Sequence, residues 1–419
     1  MIKKILWAVI ITSVILLPVL NVSIHQSAAY FLYIIFSFSL GYFAVAEKTY
    51  LRHRSILIPL LVWLLITLFT SFYALDKSTA FTATGQMLFF GLIFIVLSGL
   101  DSNRKKQIAL ALAFGSFLIS AVAIWQYFFF FDKILPSLAF RDLSLTEEGV
   151  FYIADLIKRR RVTSIFVNPN LFASYLAMVN IVIISLCFIQ EKKSFKIILS
   201  LLLIMNCYAL WLTRSLAGLS SFILGVFLFI LFFSSKSKLS RLRYKKLLVV
   251  LGGSLIVLFI VLFIKRLVYD NGTDRFFLSL RGRLEFWKAA LKIIADRPFQ
   301  FTGLGGFEHL YRQYCPQIIV ESRRAHNIFL QLWVETGLLG VLAFIWFLAA
   351  LIHKGLRQLF KPQLRFKLYV FQAAGLAALS AFLFHNLLDF SFFITQTAVV
   401  WWVISSWSIN SKQSGEGEL

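Results

Sequence analysis

The chain is built from apolar stretches of bilayer-spanning length, and these recur from one end to the other. A transmembrane helix needs about 20 predominantly apolar residues to cross the hydrocarbon core. Twelve stretches meet that description, at about 5–20, 28–46, 55–73, 79–100, 108–131, 169–189, 196–213, 215–234, 247–264, 327–352, 367–388 and 390–409. The first, third and seventh are short or carry polar interruptions. Hydrophobic residues make up 59% of the 419 residues and charged residues 15%, with a mean hydropathy of +0.82. These values exclude an ordinary soluble domain. The pattern predicts an all-α polytopic membrane protein of about twelve transmembrane helices, forming one domain over residues 1–419 with two elaborated loops. The opening Met1-Ile2-Lys3-Lys4 before an apolar run is signal-peptide-like. No small-x-small cleavage site follows it, and Pro18 and Asn21 suit the end of a span.

Charge predicts the orientation. Clusters of Lys and Arg occupy alternate connections: Lys48, Arg52 and Arg54; Arg104 to Lys106; Lys192, Lys193 and Lys196; Lys236 to Lys246; Lys354 to Lys367. With twelve alternating spans they share a side with Lys3 and Lys4, and the positive-inside rule makes that side the cytoplasm. Both termini are then cytoplasmic. The opposite connections at 21–27 and 385–391 carry no Lys or Arg.

Two outward loops depart from this balance. Residues 132–168 hold six basic residues and residues 265–326 hold eleven, out of 42 Lys and Arg in a chain of net charge +23. Long loops escape the topology rule, so these charges call for an anionic partner. On an outer face that partner is an anionic lipid or a phosphorylated substrate rather than nucleic acid. In the second loop, Arg283, Trp287, Ala290, Leu291 and Ile294 recur at helical spacing. This predicts an amphipathic helix over about 282–295 lying on the membrane surface. Pro298 stops it, Gly303-x-Gly305-Gly306 makes a tight turn, and a second helix is expected over about 307–314. Cys187 and Cys207 fall inside spans and Cys315 is alone in a loop, so no disulfide framework is expected.

Polar residues at span mouths are the candidate site. His326, flanked by Arg323 and Arg324, opens a long apolar helix. Nearby cations favour the neutral imidazole, which can take up a proton. Arg161, Arg214, Arg281 and Arg283 face outward, and guanidinium groups bind phosphate oxygens in bidentate fashion. Arg281 and Arg283 also suit plain contact with lipid phosphates. Glu335, more than two turns into its span, reads as an internal hydrogen-bonding or ion-pairing group. Asp389, four residues after His385, is placed to orient His326 or an arginine, or to bind acceptor hydroxyls. The remaining histidines lack comparable basic flanks. No Asp-x-Asp and no histidine pair at i, i+4 is present, so metal-independent chemistry without a cofactor is expected.

Taken in order, these segments resemble the O-antigen ligase and polymerase superfamily of bacterial envelope proteins. The resemblance runs through Arg161 to Asn168-Pro169-Asn170-Leu171-Phe172-Ala173, then Leu212-Thr213-Arg214-Ser215. It continues in Gly282-Arg283-Leu284-Glu285-Phe286-Trp287 with Asp296-Arg297-Pro298 and Gly303-x-Gly305. His326-Asn327-x-x-Leu330 with Glu335-x-Gly337-x-x-Gly340, and His385-x-x-x-Asp389, complete it.

The resemblance covers most of residues 160–390 and implies a C-type glycosyltransferase bundle in the bacterial inner membrane. Its donor would be an undecaprenyl-pyrophosphate-linked glycan used on the periplasmic or external face, with lipid A–core as the ligase acceptor. It implies His326 as the base, Arg214 and Arg283 on the pyrophosphate with Arg161 as helper, and inversion at the anomeric carbon. Arg281, Arg324 and Asp389 complete the expected substrate-binding set. Many relatives read Thr-x-Ser-Arg where this chain reads Thr213-Arg214-Ser215-Leu216. A two-position shift turns a helical side chain by about 200°, so Arg214 serves only if this junction is not regular helix, or if the helix starts later. A polymerase extending a second lipid-linked glycan fits the same motifs. A lipid-linked oligosaccharide flippase, or a scaffold for anionic lipid, are the rivals from other classes.

Overall fold

The computed structural model describes residues 2–19, 26–47, 54–134, 156–236, 272–315, 324–361 and 364–409. Among them the regular structure is entirely helical. Among the described residues, eight helices are long and apolar enough to cross a membrane: 54–72, 77–98, 102–133, 169–189, 193–212, 216–234, 328–359 and 366–385. We number the main helices α1 (Ile2–Leu16), α2 (Gln26–Glu47), α3 (Arg54–Phe72), α4 (Lys77–Ser98), α5 (Ser102–Trp125), α6 (Pro169–Ile189) and α7 (Lys193–Leu212). They continue as α8 (Leu216–Lys236), α9 (Gly272–Asp296), α10 (Phe307–Tyr314), α11 (Ile328–Leu359), α12 (Phe366–His385) and α13 (Thr395–Ser405).

Four expected spans stand apart from those eight. Helix α1 has 15 residues. Helix α2 has 22, with its apolar run over 31–47. The stretch at 247–264 lies outside the described residues. The last, 390–409, is broken: a 3₁₀ turn at Ser391–Phe393 precedes α13, which has only 11 residues, all buried. A helix wrapped by protein on every side need not match the bilayer thickness.

Local chemistry explains where the helices begin. Asp76 caps α4 through its carboxylate, which accepts from the Thr79 N–H at 3.1 Å. Asn168 caps α6 by accepting from the Asn170 N–H at 2.8 Å, with Pro169 as the first helical residue. Asn327 caps α11 through the N–H groups of Phe329 and Leu330 at 3.0 and 3.1 Å. Helix α11 bends at Gly337, whose φ of 70° only glycine adopts freely.

Helix α6 is the hub. It packs on α5, α7, α8 and α12 and is buried along nearly all its length. On the other side, α3 packs against α11. Between these groups Trp63, Phe344, Phe347, Phe392 and Trp402 form an aromatic centre, with Phe347 and Trp402 stacked at 5.5 Å. An amide fixes the α5–α7 pairing: Asn206 donates to Ser116 at 2.9 Å and accepts from Ser120 at 2.8 Å.

The second loop folds on its own small core. Phe286, Ala290 and Ile293 of α9 meet Phe307, Leu310 and Tyr311 of α10, together with Ala325 and Val334. The amphipathic helix expected over about 282–295 is longer than that, beginning at Gly272. The expected 307–314 helix is α10. Of the expected first loop, only 132–134 and 156–168 are described.

Candidate functional site

His326 occupies a left-handed backbone conformation, φ 53°, just before α11. The other non-glycine residues in that region, among those described, are Arg160, Ser164 and Arg214. Each costs on the order of 1–3 kcal/mol and persists only where its surroundings enforce it. His326 is held on both flanks. The Ala325 N–H donates to Gln331 Oε1 at 2.5 Å. Downstream, Asn327 Nδ2 donates to the Leu387 carbonyl at 3.2 Å, and the Ile328 N–H donates to the Asn386 carbonyl at 2.9 Å.

The imidazole is boxed by aromatics. Phe286 of α9 stacks on it at 5.4 Å and Phe390 meets it edge-on at 4.8 Å. Its Nδ1 is sealed from solvent with no hydrogen-bond partner. Burial pushes the imidazole down to about 4; the Asp389 carboxylate works against that shift, and the Arg283 guanidinium adds to it. At neutral pH His326 therefore carries no charge and keeps a free lone pair.

Arg283 comes from α9, and its Nε donates to the Leu388 carbonyl at 2.7 Å. Burial lowers its proton affinity and Asp389 opposes that, and it remains a cation. Asp389 is fully buried. Its Oδ1 accepts from the Phe390 N–H at 2.7 Å and the Ser391 hydroxyl at 3.4 Å, while Oδ2 has no hydrogen-bond partner. His385 sits beside it, with Nδ1 3.4 Å from the Ser391 hydroxyl and Nε2 buried without a partner. Two neutral-capable imidazoles and a guanidinium thus converge on one buried carboxylate.

Arg324 lies over the Phe393 ring at 5.1 Å and reaches Glu335 at 3.8 Å. Arg281, two residues before Arg283, is exposed. Arg161 and Arg214 form a second group. Arg161 Nε donates to the Thr213 carbonyl at 3.0 Å and its NH2 reaches Asn170 Oδ1 at 3.4 Å. This holds the turn that presents the exposed Arg214. That junction is not regular helix: α7 ends at Leu212 and α8 starts at Leu216. Thr213 Oγ1 accepts from the Ser215 N–H at 3.1 Å, and Ser215 Oγ caps α8 through the Gly218 N–H at 3.2 Å. The condition under which Arg214 can serve despite its shifted position is therefore met.

By sequence His385 is a weak candidate because it lacks basic flanks; the signal that points to it is its i, i+4 spacing to Asp389 across a helix end. Gln126 went unnoticed: its Oε1 accepts from the N–H groups of Thr163 and Ser164, both at 3.0 Å, from within a π-helical turn at Gln126–Phe130. It fixes the approach to Arg161 from α5. Neither Phe286 nor Phe390 carried any signal of contact with the histidine.

No curated protein matches the chain. The family model described as O-antigen ligase matches residues 198–345. That stretch contains Arg214, Arg281, Arg283, Arg324 and His326. Over residues 198–345 the chain is thus similar to the O-antigen ligase family, in the superfamily that its motifs resemble.

Proposed function

We propose that the protein is a metal-independent, inverting glycosyltransferase of the C type, working at the external face of the bacterial cytoplasmic membrane. It takes a glycan from an undecaprenyl pyrophosphate donor and passes it to an acceptor hydroxyl, with lipid A–core as the ligase-type acceptor. The observation that carries this reading is the neutral, aromatic-boxed His326 beside Arg283 and Asp389.

His326 removes the acceptor hydroxyl proton as its oxygen attacks the anomeric carbon. The bond from that carbon to the pyrophosphate oxygen breaks, and its electron pair leaves on undecaprenyl pyrophosphate. Attack opposite the leaving group inverts the centre. Arg283 and Arg214 stabilise the departing charge. Arg161 positions the Arg214 turn, and Arg281, Arg324 and Asp389 contribute to substrate binding. Pyrophosphate held by Arg283 adds negative charge near the imidazole, which raises its proton affinity from about 4 toward the range useful for a base. Base strength is thereby coupled to donor binding.

Reconstitution with a lipid-linked glycan and candidate acceptors tests the reading, with His326→Ala and Arg283→Ala beside wild type. Glycan on lipid A–core selects ligase, and longer lipid-linked chains select polymerase. Donor crossing the bilayer without transfer selects a flippase. Undiminished transfer in both variants removes the catalytic assignment.

A further inference from the structure

Glu335 is fully buried inside α11, where a carboxylate is costly to keep. Its Oε1 accepts from the Gly305 and Phe307 N–H groups at 2.9 and 3.3 Å and from Gln331 Nε2 at 2.6 Å. Its Oε2 is buried without a partner. The Phe307 N–H belongs to the first residue of α10, so Glu335 caps that helix from a distant one. An amide would keep one acceptor for those donors, but it would bury an unpaired NH2 at the Oε2 position and lose the approach of Arg324, 3.8 Å away.

Each contact of Glu335 leads toward His326 or anchors it. Gln331, one turn earlier in α11, uses its oxygen to hold the Ala325 N–H, the residue before the strained histidine. Arg324 is two residues before it. On the other side, the Glu335 backbone carbonyl accepts from the Gly303 N–H at 3.0 Å. The 303–306 turn is seated on the α3–α4 corner, where the Leu75 N–H donates to the Thr302 carbonyl at 3.2 Å. A Cβ on Gly303 would stand 2.4 Å from Ala74 Cβ, and one on Gly305 2.6 Å from Thr79 Cγ2.

We infer that Glu335 is a positioning residue for His326, a buried clamp that fixes the histidine segment and the 303–307 turn to one point of α11. The inference rests on the reading of His326 as the base. Without the clamp the upstream flank of His326 is released, and its left-handed backbone relaxes toward ordinary conformations.

The test measures histidine exposure directly. Full-length protein in nanodiscs is treated with diethylpyrocarbonate, and modification is followed residue by residue by mass spectrometry. Glu335→Gln should raise the modification rate of His326 about tenfold, as local opening does, with His353 unchanged as reference. Gln331→Ala should raise it likewise and serves if Glu335→Gln does not fold. In the transfer assay Glu335→Gln should lower kcat on the order of 100-fold with donor KM nearly constant, as small misplacements of reacting groups do. Glu335→Asp, keeping the carboxyl group, should recover part of that loss. No rise at His326 in either variant overturns the inference, as does an equal rise at His353, which would mean the carboxylate merely supports the bundle. A selective rise at His326, in a wild type that transfers no glycan, leaves the clamp standing and removes the transferase reading instead.

Discussion

Arg283 and Leu388 are joined by a 2.7 Å hydrogen bond from guanidinium Nε to backbone carbonyl, linking α9 to the residue before Asp389. One edge of the arginine is thereby committed to holding the connection after α12.

Arg283→Lys keeps the charge and loses the fork geometry. Transfer should fall about 10²–10³-fold, the range for removing one donor aimed at developing charge. Near-wild-type kinetics with the lysine variant would mean that a point charge is enough.

His326 gives a signed pH prediction. Its folded value is about 4, below its ordinary 6.5. The unfolded chain binds the proton more readily between those values, so stability rises with pH across that window and is lost as pH falls from about 6.5 to about 4. The contribution is on the order of 3 kcal/mol at pH 4. Thermal unfolding of His326→Gln should depend less on pH over the same interval than that of wild type; parallel curves would contradict the burial argument.

Arg161 and Arg214 should separate in stability. Arg214 is exposed, so Arg214→Ala should stay within about 0.5 kcal/mol of wild type while transfer drops. Arg161→Ala loses the bond to Thr213 and should cost about 1–3 kcal/mol as well as activity. Denaturation in detergent beside the transfer assay distinguishes the two.

Gly305→Ala combines a left-handed backbone, φ 87°, with a contact at 2.6 Å. We expect a cost of roughly 2–4 kcal/mol from the two effects together. Adding Thr79→Ser removes the methyl contact but not the backbone strain, so the double variant should recover only part of the melting temperature.

Much of the fold was legible because membrane spans announce themselves locally. Helices α3, α4, α6, α7 and α12 lie within a few residues of the apolar runs, and Pro298 and the glycine turn fell where their backbone chemistry put them. The 390–409 run misled in form because hydropathy cannot distinguish a helix facing lipid from one enclosed by Trp63, Phe392 and Trp402. His326 stood out by its place at a helix mouth and its basic flanks. Glu335 was legible as an internal bonding group, but its partners in the 303–307 turn were not, since about 30 residues separate them.

By itself the sequence determined the helices, their approximate ends, and the polar residues kept at span mouths, since each is set by a periodicity or a cap a few residues long. Tertiary structure alone decided which of those residues meet. It set Arg283 and Asp389 beside His326 and His385 beside Asp389, paired Arg161 with the turn of Arg214, and tied the histidine segment to Glu335 through Arg324 and Gln331. Convergence of that kind depends on how distant helices pack, and no local pattern records it.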